Sequence, residues 1–145
     1  MKRYKYFIPA IAWMAVIFGL STALFGAEET GSIVEWVVRA IAPGLPQPDI
    51  DTIHFLIRKA AHVSEYAVLL LLWRRGFTRL GLGEFKAVSV AFVISAAYAA
   101  SDEYHQSFVA NRTASAIDVL IDMTGAAAAI LVLELVRLRK KQRVV

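Results

Sequence analysis

From Tyr6 to Ala27 the chain carries no charged residue. Those 22 residues, rising about 1.5 Å each as a helix, suffice to cross a hydrocarbon core about 30 Å thick. Three further segments of that length follow. The second covers about 53–73; its back half, Ala67 to Trp73, is apolar, but its front half holds Arg58, Lys59, His62 and Glu65. The third covers about 86–106, uncharged from Ala87 to Ser101 and continuing through Asp102 to Gln106. The fourth covers about 115–136 and holds Asp118 and Asp122 in its first half. The predicted fold is all-α: one integral-membrane four-helix bundle spanning residues 1–145. The second and fourth segments should score poorly on hydropathy alone. The basic start (Lys2, Arg3, Lys5) and Ser21-Thr22-Ala23 also suit a signal peptide. The uncharged run is longer than a signal's apolar core of about 7–15 residues, so a membrane crossing is expected instead.

Composition agrees. Hydrophobic residues make up 58% and charged residues 19%, against about 45–50% and 25% in ordinary globular domains. Disorder is excluded on the same grounds. With no cysteine, disulfides, Cys-ligated zinc and thiol nucleophiles are excluded too. The +4 net charge reads as topology rather than nucleic-acid binding. Lys2, Arg3 and Lys5, then Arg74, Arg75, Arg79 and Lys86, then Arg137, Arg139, Lys140, Lys141 and Arg143 all fall on one side of a four-span bundle. The opposite side holds Glu28, Glu29, Glu35, Asp49 and Asp51 against Arg39 alone. The positive-inside rule then places both termini in the cytoplasm of a multi-pass membrane protein. Between the first two segments, Ile33, Trp36, Val37, Ala40 and Ile41 recur at helical spacing, with Glu35 and Arg39 on the other face. They predict a short amphipathic helix over 31–42, lying at the outer interface with Trp36 as anchor. Pro43, Pro46 and Pro48 should end it.

The polar residues of the last three segments fall on stripes. Arg58, His62 and Glu65 stand at i, i+4 and i+7; Asp102, His105 and Gln106 at i, i+3 and i+4; Asp118, Asp122 and Gly125 at i, i+4 and i+7. Counting about 1.5 Å per residue from the inner arginines puts Arg58 roughly 24 Å and Glu65 roughly 14 Å above the cytoplasmic surface. Most of the set therefore lies in the outer half, with Glu65 near the midplane. Charges there are costly in lipid unless they face one another or water. This predicts a polar cavity inside the bundle, open to the extracytoplasmic side. Ala96, Ala97, Ala99, Ala100 and Ser101, and Gly125 to Ala129, would permit close packing around it. The simpler alternative is a purely structural set of salt bridges joining Arg58 and Arg112 to Asp102, Asp118 or Asp122.

These residues resemble the VanZ-like family of small membrane proteins in three blocks. Arg58-Lys59-Ala60-Ala61-His62-Val63-Ser64-Glu65-Tyr66 is similar to R-K-x-x-H-x-x-E-Y. Tyr98-Ala99-Ala100-Ser101-Asp102-Glu103-Tyr104-His105-Gln106-Ser107-Phe108, with Asn111-Arg112-Thr113 after it, is similar to Y-A-x-x-D-E-x-H-Q-x-F and its following arginine. The third block is Ser115 to Gly125. The likeness covers about residues 9–133. The chain departs from the family pattern at Ser21-Thr22-Ala23, where many members have Ser-Ser-Gln, at Ala110-Asn111, where members often have Pro-Gly, and at Asp122, where many have Asn. The resemblance implies a bacterial cell-envelope protein associated with reduced susceptibility to the glycopeptide teicoplanin; it supplies no reaction.

Three functional classes follow. In a binding protein the cavity recognises an anionic lipid or a lipid-linked cell-wall precursor. Its candidate ligand-binding residues are Arg58, Lys59, Tyr66 and Asp102, together with Glu103, Gln106, Arg112 and Asp122. In an intramembrane hydrolase or transferase acting on a lipid phosphate, the candidate catalytic residues are His62, Glu65, His105 and Asp118, with Arg112 stabilising negative charge. No cofactor is expected. Helical spacing offers N and O ligands to a metal, but Arg58 and Lys59 would oppose a cation. A proton-coupled transporter would fit Glu65 at the midplane, yet four short spans without an inverted repeat would need a homo-oligomer.

Overall fold

The structure is a computed structural model and describes residues 3–22, 27–108 and 115–143, the side chains of 27–29 excepted. After a 3-10 turn at Arg3–Tyr6 come five helices: α1 (Ile8–Leu20), α2 (Ala27–Ile41), α3 (Gln47–Arg79), α4 (Glu84–Gln106) and α5 (Ala116–Gln142). No strand occurs among the described residues. The expected all-α class is what the chain adopts.

α1 is shorter than the uncharged run that contains it. It has 13 residues, Pro9 in its first turn, and ends where Ser21 N–H bonds back to Ile17 and Phe18 while Thr22 Oγ1 donates to the Gly19 carbonyl at 2.6 Å. The absence of charge marks what lipid would tolerate, not where a helix stops. α2 begins at Ala27, four residues before the expected start. Its Glu35–Arg39 pair forms at 2.7 Å, and Ile33, Trp36, Val37 and Ile41 leave an apolar face uncovered. The prolines act as expected: Pro46 is extended before α3, and Pro48 sits in its first turn, where the missing N–H costs no helix bond.

α3 extends past the predicted 53–73 at both ends. Its 33 residues measure about 50 Å at 1.5 Å per residue, so polar ends flank the stretch that lipid could cover. Gly81, at φ 93°, supplies the left-handed residue that turns the chain from α3 into α4. By length and composition two described helices, α4 and α5, are able to cross a membrane, and α1 is a shorter apolar helix. α3 is long enough but carries Arg58, Lys59, His62 and Glu65 through its middle. The expectation that the fourth segment would score poorly is wrong. Asp118 and Asp122 sit at the head of α5, and the apolar run from Met123 to Leu133 outweighs them.

α3 is the hub, packed against α1, α2, α4 and α5, while α4 and α5 also pack together. One core cluster joins Ile17, Tyr66, Leu69 and Ala99; another joins Leu70, Ala91, Ala126 and Ala129. On α4 the buried line is Ala87, Ala91, Ser95, Ala99 and Asp102–Glu103, a ridge of near-i+4 steps. Only one phase of the predicted small-residue stripes is used: Ala99, Gly125, Ala126 and Ala129 are buried, whereas Ala97, Ala100, Ser101, Ala127 and Ala128 face outward. Gly125 lies against the Val63 backbone. Two indole and phenol tips tie α1 in: Trp13 Nε1 donates to the Glu65 carbonyl at 2.9 Å and Tyr98 Oη to the Met14 carbonyl at 2.6 Å. Much of the outer surface is apolar, including Phe85, Val93, Leu120 and Leu131, as suits a bundle in lipid.

Candidate functional site

α3 faces both α4 and α5, so its polar stripe meets theirs in the interior. At the start of α5, Lys59 Nζ donates to Asp118 Oδ1 at 2.5 Å. One turn deeper, His62 Nδ1 lies 3.6 Å from Asp122 Oδ1 and 3.8 Å from Glu65 Oε2. Asp122 is 1% exposed. Glu103, also buried, accepts the Ser115 N–H at 3.0 Å, anchoring the start of α5. Ser115 itself caps that helix by accepting from Ile117 N–H at 3.1 Å.

A second polar group forms where α1 ends. Ser21 Oγ donates to Asp102 Oδ2 at 2.8 Å, and Gln106 Nε2 donates to the same oxygen at 2.9 Å. All three side chains are buried. Tyr66 joins the two groups. It is 0% exposed and lies within the electrostatic field of Asp102, Asp122 and Glu65. Its hydroxyl, Asp102 Oδ1 and Asp122 Oδ2 are buried without a hydrogen-bond partner among the described residues. Burying such atoms unpaired costs about 1–3 kcal/mol each, and a polar occupant would offset that cost.

The site is rich in acid. Glu65, Asp102, Glu103 and Asp118 all lie close enough to Asp122 to bear on its charge. Against these stand Lys59, already held by Asp118, and the imidazole of His62. Such an interior favours hydroxyl and ammonium groups over phosphate. Among the described residues no three His, Asp or Glu side chains are placed as a metal-binding group.

Most of the predicted residues therefore converge: Lys59, His62, Glu65, Tyr66, Asp102, Glu103, Gln106, Asp118 and Asp122. Two do not. His105 turns onto Phe18, ring centroids 4.5 Å apart, so its place on the Asp102 stripe does not carry it to His62. Arg58 makes no ion pair among the described residues. Of the salt bridges in the structural alternative, the one to Asp118 is made by Lys59 rather than by its neighbour Arg58. Arg112 lies outside the described residues. Sequence reasoning missed three contributors. Ser21, noted only for a signal-peptide cleavage site and as a departure from a motif, is an Asp102 partner; Trp13 and Tyr98, given no site role, use their polar tips on backbone carbonyls. A hydroxyl closing a long apolar run was the available signal for Ser21.

Comparison with curated proteins and with solved structures finds no match. A family model described as VanZ/LLP1 matches residues 6–137, which takes in every residue of this cluster. The chain belongs to the VanZ/LLP1 family and is a VanZ-like membrane protein.

Proposed function

We propose that α1, α3, α4 and α5 cross the bacterial cytoplasmic membrane as a four-helix bundle with both termini inside, and that the buried polar cluster recognises the head of an outer-leaflet anionic lipid or lipid-linked cell-wall precursor. The observation that carries this reading is the trio of buried atoms without a hydrogen-bond partner among the described residues, Tyr66 Oη, Asp102 Oδ1 and Asp122 Oδ2, gathered within one cluster of α3, α4 and α5. Their chemistry suits sugar hydroxyls or an amine. Phosphate would sit further out, at Arg58, where a guanidinium fork meets it without entering the acid-rich interior. Such capture would connect the protein to the glycopeptide response that the family's namesake suggests. α2 would lie along the outer surface on its uncovered apolar face.

A second reading is an intramembrane hydrolase or transferase on a lipid phosphate. His62 favours it, because an imidazole nitrogen flanked by two carboxylates, Asp122 and Glu65, has the arrangement of a general base with its orienting partners.

The experiment is mass analysis of lipids co-purifying with the full chain in mild detergent. Wild type should retain an anionic lipid that Arg58→Ala and Tyr66→Phe each lower at least fivefold, with folding unchanged by circular dichroism. Equal retention by all three proteins would refute the binding reading. Slow conversion of the retained lipid by wild type but not by His62→Gln would move the assignment to the enzyme.

A further inference from the structure

At the other end of the bundle, away from this cluster, α4 and α5 part to form a groove of about 1050 Å³. That is just above the range of about 300–1,000 Å³ usual for ligand clefts. Its walls are apolar: Phe85, Val88 and Phe92 on α4, and Ile130, Leu133 and Val136 on α5. Phe85 is 85% exposed, so the groove opens outward rather than into the core. Its polar lining lies with the basic ends of α3 and α5. Arg74 is held by both Glu84 oxygens, at 2.6 and 3.0 Å. Arg137 reaches Glu134 through one nitrogen at 3.3 Å, which leaves its other donors available. Lys140, one turn on, makes no ion pair among the described residues and gives the lining an excess of positive charge. Arg139, Lys141 and Arg143 follow directly.

We infer that this groove binds one anionic phospholipid of the inner leaflet, its acyl chains along the α4–α5 wall and its phosphate on Arg137 and Lys140. The inner-leaflet placement rests on the orientation proposed above; the groove and its charge do not. An apolar trough that meets cations at one end matches a molecule with tails and a single anionic head. Basic pockets between membrane helices on the cytoplasmic side bind acidic head groups in this way. A helix from a second copy is the poorer match, because the acidic groups in the lining, Glu84 and Glu134, are already taken by arginines of the same chain.

The test is native mass spectrometry of the delipidated full chain titrated with phosphatidylglycerol or with phosphatidylcholine of the same acyl chains. Phosphatidylglycerol should bind at least fivefold more tightly. Arg137→Gln with Lys140→Gln should remove that preference, and Phe92→Ala should weaken both lipids. Both substituted cations lie on the exposed end of α5, so folding should survive. All of these titrations use an Arg58→Ala background, which disables the outer site, so the preference that remains there and is lost only with the groove substitutions belongs to this groove. Equal binding of the two lipids, an unaltered preference in the double variant, or a dimer that the groove substitutions dissolve would each overturn the inference.

Discussion

Gly125→Ala is expected to unseat α5 from α3. A Cβ built on Gly125 would overlap the carbonyl oxygen of Val63 and lie 2.7 Å from the Val63 carbonyl carbon. These are backbone atoms of a packed helix, and no rotamer change can clear them. Overpacking a core with a methylene costs about 1–3 kcal/mol, and a clash with backbone belongs at or above the top of that range. The shift would also reach function, because Lys59–Asp118 and His62–Asp122 both bridge α3 and α5. Thermal unfolding in detergent followed by size-exclusion fluorescence should show loss of the monodisperse species. The control is Gly19→Ala in α1, where a Cβ meets nothing within 4 Å; it should be neutral or slightly stabilising. A Gly125→Ala protein as stable as wild type would show that the two helices are not in close backbone contact.

Asp102 should separate folding from binding. Replacement by Ala leaves Ser21 Oγ and Gln106 Nε2 without their shared acceptor in a buried place. At about 1–3 kcal/mol for each unsatisfied donor, Asp102→Ala should lose about 2–4 kcal/mol. A weak contact between the two stranded groups, 3.4 Å apart, would recover a little. Asp102→Asn behaves differently. Its amide oxygen still accepts from Ser21, and the acid-rich interior loses one like charge. Stability should stay within about 1 kcal/mol of wild type, as expected where a site holds groups that the fold alone would not choose. Lipid retention should nevertheless fall at least tenfold. Full retention by Asp102→Asn would mean that Asp102 serves packing alone.

Particular residues show why some of this architecture is open to sequence reasoning and some is not. α4 is visible because nothing charged interrupts Ala87 to Ser101 and its polar groups gather at one end. The amphipathic α2 is visible because Glu35 and Arg39 oppose Ile33, Trp36 and Val37 at helical phase. The stop of α1 at Leu20 is not visible. Nor is the bond from Ser21 to Asp102, 81 positions away, since no local pattern encodes it. The exchange of Arg58 for Lys59 has a similar cause. The two are neighbours about 100° apart around one helix, and only the position of α5 decides which meets Asp118. The alanines of α4 are alike in composition, so their spacing reveals a packing face but not its phase; Ala99 is buried while Ala97 and Ala100 are not. His105 lies apart from His62 for a further reason: it shares its spacing with Asp102, but that face also touches α1, and its ring lies on Phe18.

Everything proposed for the polar cluster requires that its end of the bundle face outward. The chain lacks cysteine, so single cysteines can be added on a silent background. The direct measurement is labelling of Thr52→Cys, Ser115→Cys and Leu138→Cys by a membrane-impermeant maleimide, in intact and in permeabilised cells. Thr52 and Ser115 lie at the polar-cluster ends of α3 and α5, and Leu138 lies at the far end of α5. Thr52→Cys and Ser115→Cys should label in intact cells, and Leu138→Cys only after permeabilisation. Labelling of Ser115→Cys and Leu138→Cys from the same side would contradict the account, because α5 would then not cross the membrane and the cluster would have no outer face to open on.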